Sequence, residues 1–222
     1  MIEPENKMTD LMTLPADWDG MPAAFIEGAL LAANANPKPL VPEAWLPVLI
    51  NGGVVEEDQK DVTDEQKKAI LSHFQMQYQY IKAGEYELPK SVAWNEEDGV
   101  SESLGHFAEG FLSVWPQIEP NWADQAISDG TMRMLSALIT TMMLLLDEED
   151  TLAQMKEAGM TSLPAPSDLY PQVSLMIGEV VMAADEMQQG ACAQAVNPYK
   201  ETGRNDACLC NSGKKFKQCC GK

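Results

Sequence analysis

The sequence predicts an all-α protein: a compact body of about six helices followed by a tethered, metal-binding C-terminal knuckle. Three observations carry this expectation. Apolar residues recur at helical spacing through most of residues 1–190, no segment shows the convincing alternation of a half-buried strand, and four of the five cysteines fall within the last twenty residues. With 222 residues, 45% of them hydrophobic, the chain can fill one medium-sized core and carry a small appendage.

The first helices are expected at about 21–35 and 42–50. Thr63-Asp-Glu-Gln66 has capping-box spacing, and Ile70, Leu71, Phe74, Tyr78 and Ile81 then recur on one face until Gly84 closes the segment. After Ser101, Leu104, Phe107, Ala108, Phe111, Leu112 and Trp115 form a second apolar face, which Pro116 should terminate. Two more helices are expected at about 122–146 and 167–189. The last turns Met176, Ile177, Val180, Val181, Ala184 and Met187 inward, with Gly190 as its stop. The apolar run Met134 to Leu146 is shorter than the roughly 20 residues a bilayer span requires and reads as a core helix, so no membrane insertion is expected.

Phe25-Ile-Glu-Gly-Ala-Leu30 and Phe107-Ala-Glu-Gly-Phe-Leu112 share the pattern Phe-x-Glu-Gly-x-Leu. A glycine inside a helix costs about 1 kcal/mol relative to alanine, so Gly28 and Gly110 should mark a close approach of two helices. Glu27 and Glu109 could pair for acid-base or metal chemistry, with His106 nearby, but glutamates on helices mostly face solvent, and that is the expectation here. His73 and His106, the only histidines, read as surface or core-edge residues. The acidic runs at 56–58, 96–98 and 147–150 lack the alternating ligands of a calcium loop and read as solvated loops and helix ends. The methionines, Met132, Met134, Met142, Met143, Met176, Met182 and Met187 among them, are expected mainly in helix cores.

Residues 191–202 lose helical periodicity and contain Pro198, which suggests a linker between a helical domain at 1–190 and a small unit at 203–222. That unit places Cys208-x-Cys210 eight residues before Cys219-Cys220. Four thiols in so short and polar a stretch suit one tetrahedral Zn²⁺, with Asn211-Ser212-Gly213 turning the chain; Fe²⁺ could occupy the same sulfur cage. A short turn of helix around Lys215 to Cys220 would let adjacent cysteines converge. A fully sulfur-ligated ion has no open position, so the metal is expected to be structural. Cys192 lies outside the pattern.

Charge divides the chain in the same place. Residues 203–222 hold five basic residues and one acid, a net +4, so a total of −19 leaves −23 on residues 1–202. Such a body repels nucleic acid and anionic membranes, and only the tail could touch phosphate. The N-terminus lacks the basic start and apolar core of a signal peptide, which predicts a cytoplasmic protein with reduced thiols.

The tail Gly203-Arg-Asn-Asp-Ala-Cys-Leu-Cys-Asn-Ser-Gly-Lys-Lys-Phe-Lys-Gln-Cys-Cys-Gly221 strongly resembles the SEC-C motif, the zinc knuckle of the bacterial translocase motor SecA. Ala207, Leu209 and Asn211 depart from the usual Pro-Cys-Pro-Cys-Gly-Ser-Gly, while the four ligand positions Cys208, Cys210, Cys219 and Cys220 are intact. The body, with Pro42-Glu-Ala-Trp-Leu-Pro47 and Glu109-Gly-Phe-Leu112, is similar to the YecA/YgfB-type bacterial family, which implies an all-α fold and, in some members, a homodimer. The SecA resemblance implies docking on the export chaperone SecB or on ribosomes. Arg204, Asn205, Lys214, Lys215, Phe216 and Lys217 would carry that recognition. No phosphate loop is present, so the motor activity is not implied. A non-enzymatic adaptor is the first reading, nucleic-acid binding through the tail the second, and an enzyme using Glu27, Glu109 and His106 the last.

Overall fold

The computed structural model describes residues 10–53, 62–97, 99–125, 127–195 and 214–218. It is mostly α-helical, with two compact units, Met1–Met187 and Gln188–Lys222. The first unit is built around α1 (Ala23–Asn34), in which every residue from Ala24 to Asn34 is buried. A helix apolar on all sides has no solvent face to offer, so the other elements wrap it. Two single-turn helices, α2 (Pro42–Trp45) and α3 (Val48–Asn51), split at Pro47 the helix expected at 42–50. Trp45 and Leu49 enter the core from them.

The capping box forms as the sequence suggests. Thr63 Oγ1 accepts from the Gln66 amide at 3.3 Å and Gln66 Oε1 accepts from the Thr63 amide at 3.0 Å, opening α4 (Asp64–Ala83). Gly84 closes it at φ +71°, a left-handed conformation that glycine adopts without steric cost. A two-stranded antiparallel hairpin, β1 (Trp94–Asn95) and β2 (Gly99–Val100), follows with Trp94 opposite Val100. At two residues per strand it is too short to show alternation in the sequence.

Ser101 caps α5 (Glu102–Ala123), accepting from the Leu104 amide at 3.2 Å. This helix does not stop at Pro116. It runs on through Pro116 and Pro120, and Trp122, expected to start the next helix, lies in its last turn. Each internal proline costs about 3 kcal/mol. Burial of Ile118 and Trp122, the Trp122 Nε1 bond to the Ala35 carbonyl at 2.9 Å and the Asn121–Asn36 side-chain bond at 3.0 Å hold the extension on α1 and offset that cost. Tertiary contacts, invisible to local propensity, decide the outcome.

Ser128 then caps α6 (Asp129–Leu146), accepting from the Thr131 amide at 3.1 Å. Among the described residues this is the one helix long and apolar enough, by length and composition, to cross a membrane, 18 residues rather than the 13 of the apolar run; its Leu135, Leu138, Met142 and Leu145 lie in the core. The acidic run at 147–150 is a helix start: Asp147 caps α7 (Glu148–Glu157), a helix not expected from the sequence, and three further acids fill its first turn.

The expected 167–189 helix is broken differently. A short α8 (Pro166–Leu169) and a 3₁₀ turn at Tyr170–Gln172 precede α9 (Val173–Ala195). Gly190 does not stop α9, and the first five residues of the expected linker are helical. One internal glycine costs only about 1 kcal/mol, and alanine, the best helix former, occupies 191, 193 and 195. Met176, Ile177, Val180, Val181 and Ala184 are buried as expected, with Met187 packed partly against them. The methionine expectation holds for Met142 and Met176 but not for Met132, which is half exposed.

Candidate metal-binding tail and a buried carboxylate

The tail is described only at Lys214–Gln218. Phe216–Gln218 forms one 3₁₀ turn, closed by the Gln218 amide donating to the Lys215 carbonyl at 2.8 Å, where a short helical turn was expected. Lys214, Lys215 and Lys217 are exposed. The candidate ligands Cys208, Cys210, Cys219 and Cys220, with Arg204 and Asn205, lie outside the described residues. The fit to a metal therefore rests on the donor set: four thiols of one segment, with neighbouring lysines that favour the thiolate form.

In the body, α1 and α5 meet through the repeated motif. A Cβ on Gly28 would lie 1.9 Å from the Phe107 carbonyl oxygen, and one on Gly110 would lie 1.9 Å from that of Phe25. Each motif's glycine thus seats the other motif's phenylalanine backbone, a reciprocal arrangement with local two-fold character. The close approach expected of these glycines is present.

Glu27 is not on a solvated face. It is fully buried, and its carboxylate is enclosed by three side chains: Gln77 Nε2 donates to Oε1 at 2.8 Å, Tyr86 Oη donates to Oε1 at 3.0 Å, and His73 Nε2 lies 2.6 Å from Oε2. Gln77 Nε2 also reaches the Glu27 carbonyl at 3.0 Å, and Asn34 Nδ2 donates to Gln77 Oε1 at 2.8 Å. His73, with only 5% of its surface exposed, is a core residue rather than a core-edge one. Burial, then the charge and hydrogen bond of Glu27, push the Tyr86 phenol well above its usual range, so it remains a donor.

One signal for this cluster was in the sequence. Glu27 is the only charged residue in the otherwise apolar run 23–33, so a helix buried on all sides must bury it, and a buried carboxylate needs donors. His73 and Gln77, four apart on α4, supply them from one face. Glu109 and His106, by contrast, are half-buried on α5. Among the described residues no three His, Cys, Asp or Glu side chains form a group able to hold a metal, so Glu27, Glu109 and His106 do not assemble as ligands. The oxygens of Glu27 are already engaged.

A cleft of about 490 Å³ lies between the end of α4 and α9, lined by Ile81, Lys82, Tyr86, Leu175, Glu179 and Met182 among others. Beside it, Tyr78 Oη donates to Asp185 at 2.5 Å and Lys82 Nζ reaches the same carboxylate at 3.3 Å. Partial desolvation and then the Asp185 bond raise the Tyr78 phenol, while the bonds to Tyr78 and Asp185 raise the Lys82 ammonium.

The SEC-C family model matches residues 204–222. A 33-residue segment is 61% identical to the protein translocase subunit SecA of Dehalococcoides mccartyi strain CBDB1, covering 14% of this chain and 4% of SecA. Another match of 33 residues, 54% identical, is to the uncharacterized protein YecA of Escherichia coli K12, covering 15% of each chain. The similarity to both curated relatives is local. No solved structure matches the chain. This is a mostly helical protein that carries a SEC-C motif over residues 204–222.

Proposed function

We propose that the chain is a non-enzymatic, cytoplasmic adaptor in which Cys208, Cys210, Cys219 and Cys220 hold one Zn²⁺ and the metal-ordered tail docks on SecB or the ribosome. The SEC-C match with all four cysteines present carries this reading. Four thiolates saturate a tetrahedral ion, so the metal's role is to fix the fold of a segment too short to fold by apolar burial. Fe²⁺ fits the same donors. Lys214, Lys215 and Lys217 are exposed and available to an acidic partner surface, with Arg204, Asn205 and Phe216 completing the recognition set.

The test is binding of the metal-loaded full chain to purified SecB and to ribosomes, beside a Lys214→Ala/Lys217→Ala variant that retains its metal. Loss of binding in the variant supports the reading; no binding by the parent, or equal binding by both, rejects the recognition set. The exposed lysines also favour a second reading, RNA contact through the tail, whose mark is an affinity for single-stranded RNA that falls linearly with log salt.

A further inference from the structure

The cleft between α4 and α9 is lined by a glycine that packing within the body does not require. Gly178 lies in the interior of α9, where glycine lowers helix stability relative to alanine, and a Cβ added there would meet no atom within 4 Å. Gly28 and Gly110 are the contrast, each required by a backbone atom 1.9 Å from where its Cβ would lie. At Gly178 the missing side chain instead leaves room on the wall of the cleft. Leu175 and Met182 stand one turn to either side on the same face of α9, Leu175 with 57% of its surface exposed, and Ile81 of α4 lines the same space. Tyr86 lines it as well. Its hydroxyl is engaged by Glu27 at 3.0 Å, so it offers the cleft apolar ring surface rather than a donor.

The charges on these walls select a sign. Lys82 is already matched, its ammonium 3.3 Å from Asp185 and 5.4 Å from the centre of the Tyr78 ring. Glu179 is exposed and makes no ion pair among the described residues. Ala83 and Gly84 are the last residue and cap of α4, the negative end of its dipole. At longer range, a total of −19 with +4 in residues 203–222 leaves −23 on residues 1–202, a field that draws cations and disfavours phosphate or an acidic headgroup.

We propose that this cleft binds a short peptide segment in which Lys or Arg flanks a large apolar side chain. The apolar side chain enters beside Gly178, against Leu175, Met182 and Ile81, while the flanking cation meets Glu179 and the end of α4. A volume of about 490 Å³ suits a few side chains rather than a folded domain. Met182, with its flexible thioether, adapts to apolar groups of different shape, so the site reads composition more than one exact sequence. This surface goes beyond the adaptor reading and does not depend on it: the tail's lysines suit an acidic partner, and the cleft suits a basic one.

Fluorescence anisotropy of a tetramethylrhodamine-labelled peptide, Gly-Lys-Leu-Lys-Phe-Lys-Gly, titrated with the reduced full chain, tests this. The expected result is saturable binding that is weakened about tenfold or more by Gly178→Leu, which fills the cleft, and by Glu179→Lys, and is unchanged in Cys219→Ser/Cys220→Ser. Peptides with Gln in place of every Lys, or Ser in place of Leu and Phe, should bind more weakly than the parent. Gly178→Leu should melt at the parent's temperature or above it, as a better helix former in open space does. Absence of binding overturns the proposal, as does binding indifferent to Gly178→Leu, which is only the attraction of a basic peptide to an acidic surface. Tighter binding of a peptide with Glu in place of every Lys also overturns it and assigns the cleft to an anionic ligand at Lys82. A lower melting temperature in Gly178→Leu overturns it too, by returning the glycine to the fold.

Discussion

From Ala24 to Asn34 the body buries every residue of α1, whereas residues 203–222 contain only Leu209 and Phe216 as large apolar side chains. The body can be held by the roughly 25 cal/mol gained per Å² of apolar surface removed from water, and the tail cannot. The two regions also treat polar chemistry differently. Among the described residues of the body one carboxylate, that of Glu27, is sealed in and matched donor by donor; in the tail, four thiols and several cations are concentrated in a polar segment. Burial therefore constrains the shape of the first region, and metal coordination is the available means of constraining the second.

The sharpest way to break the body is at the helix crossing. Gly28→Val or Gly110→Val would put atoms where α1 and α5 backbones now touch, with a contact of 1.9 Å that no rotamer relieves. The expected loss exceeds about 4 kcal/mol, read as failure to fold or as a large fall in the urea midpoint. A zinc chelator added to the full chain should leave that midpoint unchanged, since the α1–α5 crossing is held by contacts within the body.

Next comes the buried carboxylate. Glu27→Leu removes the common partner of His73, Gln77 and Tyr86, leaving buried polar groups unsatisfied at a cost of about 2–4 kcal/mol. Tyr86→Phe removes one donor and should cost about 1 kcal/mol, checked in the same urea titration.

Alkaline pH sharpens the comparison further. Because the folded protein raises the Tyr86 phenol above its unfolded value, it binds that proton more tightly than the unfolded chain does. Stability from this group is complete below the unfolded value near 10 and is lost as pH rises beyond it. Tyr86→Phe should therefore flatten the fall in melting temperature above pH 10. The smallest effect is at the surface: the bond to Lys67 holds the Glu43 carboxyl below its usual value, and Lys67→Ala should let its NMR titration midpoint return upward without a measurable change in melting.

Much of this arrangement was legible in the sequence where short-range chemistry decided it. Thr63, Gln66 and Gly84 announce the limits of α4, and the paired Glu-Gly motifs announce the α1–α5 crossing. What was hidden depended on distant partners. Pro116 looks like a stop until Trp122 is seen bonded to Ala35. Glu27 looks solvated until three donors from α4 and its following loop close around it. The acids at 147–150 read as a solvated loop or helix end, and they do sit at a helix N-terminus, where they face unpaired amides and are favourable; what was hidden was α7 itself, the helix they open. In the candidate metal site the four cysteines were legible in the sequence, as four ligands in one short segment need no tertiary structure to be recognised.

The most direct test of the account is native mass spectrometry of the reduced, full-length chain, beside Cys219→Ser/Cys220→Ser, with thermal melting of both. The account predicts one zinc or iron ion per parent chain, none in the variant, and the same melting temperature for the helical body in each. A metal-free parent with paired, oxidised cysteines, or a body that unfolds when the metal is lost, would contradict it.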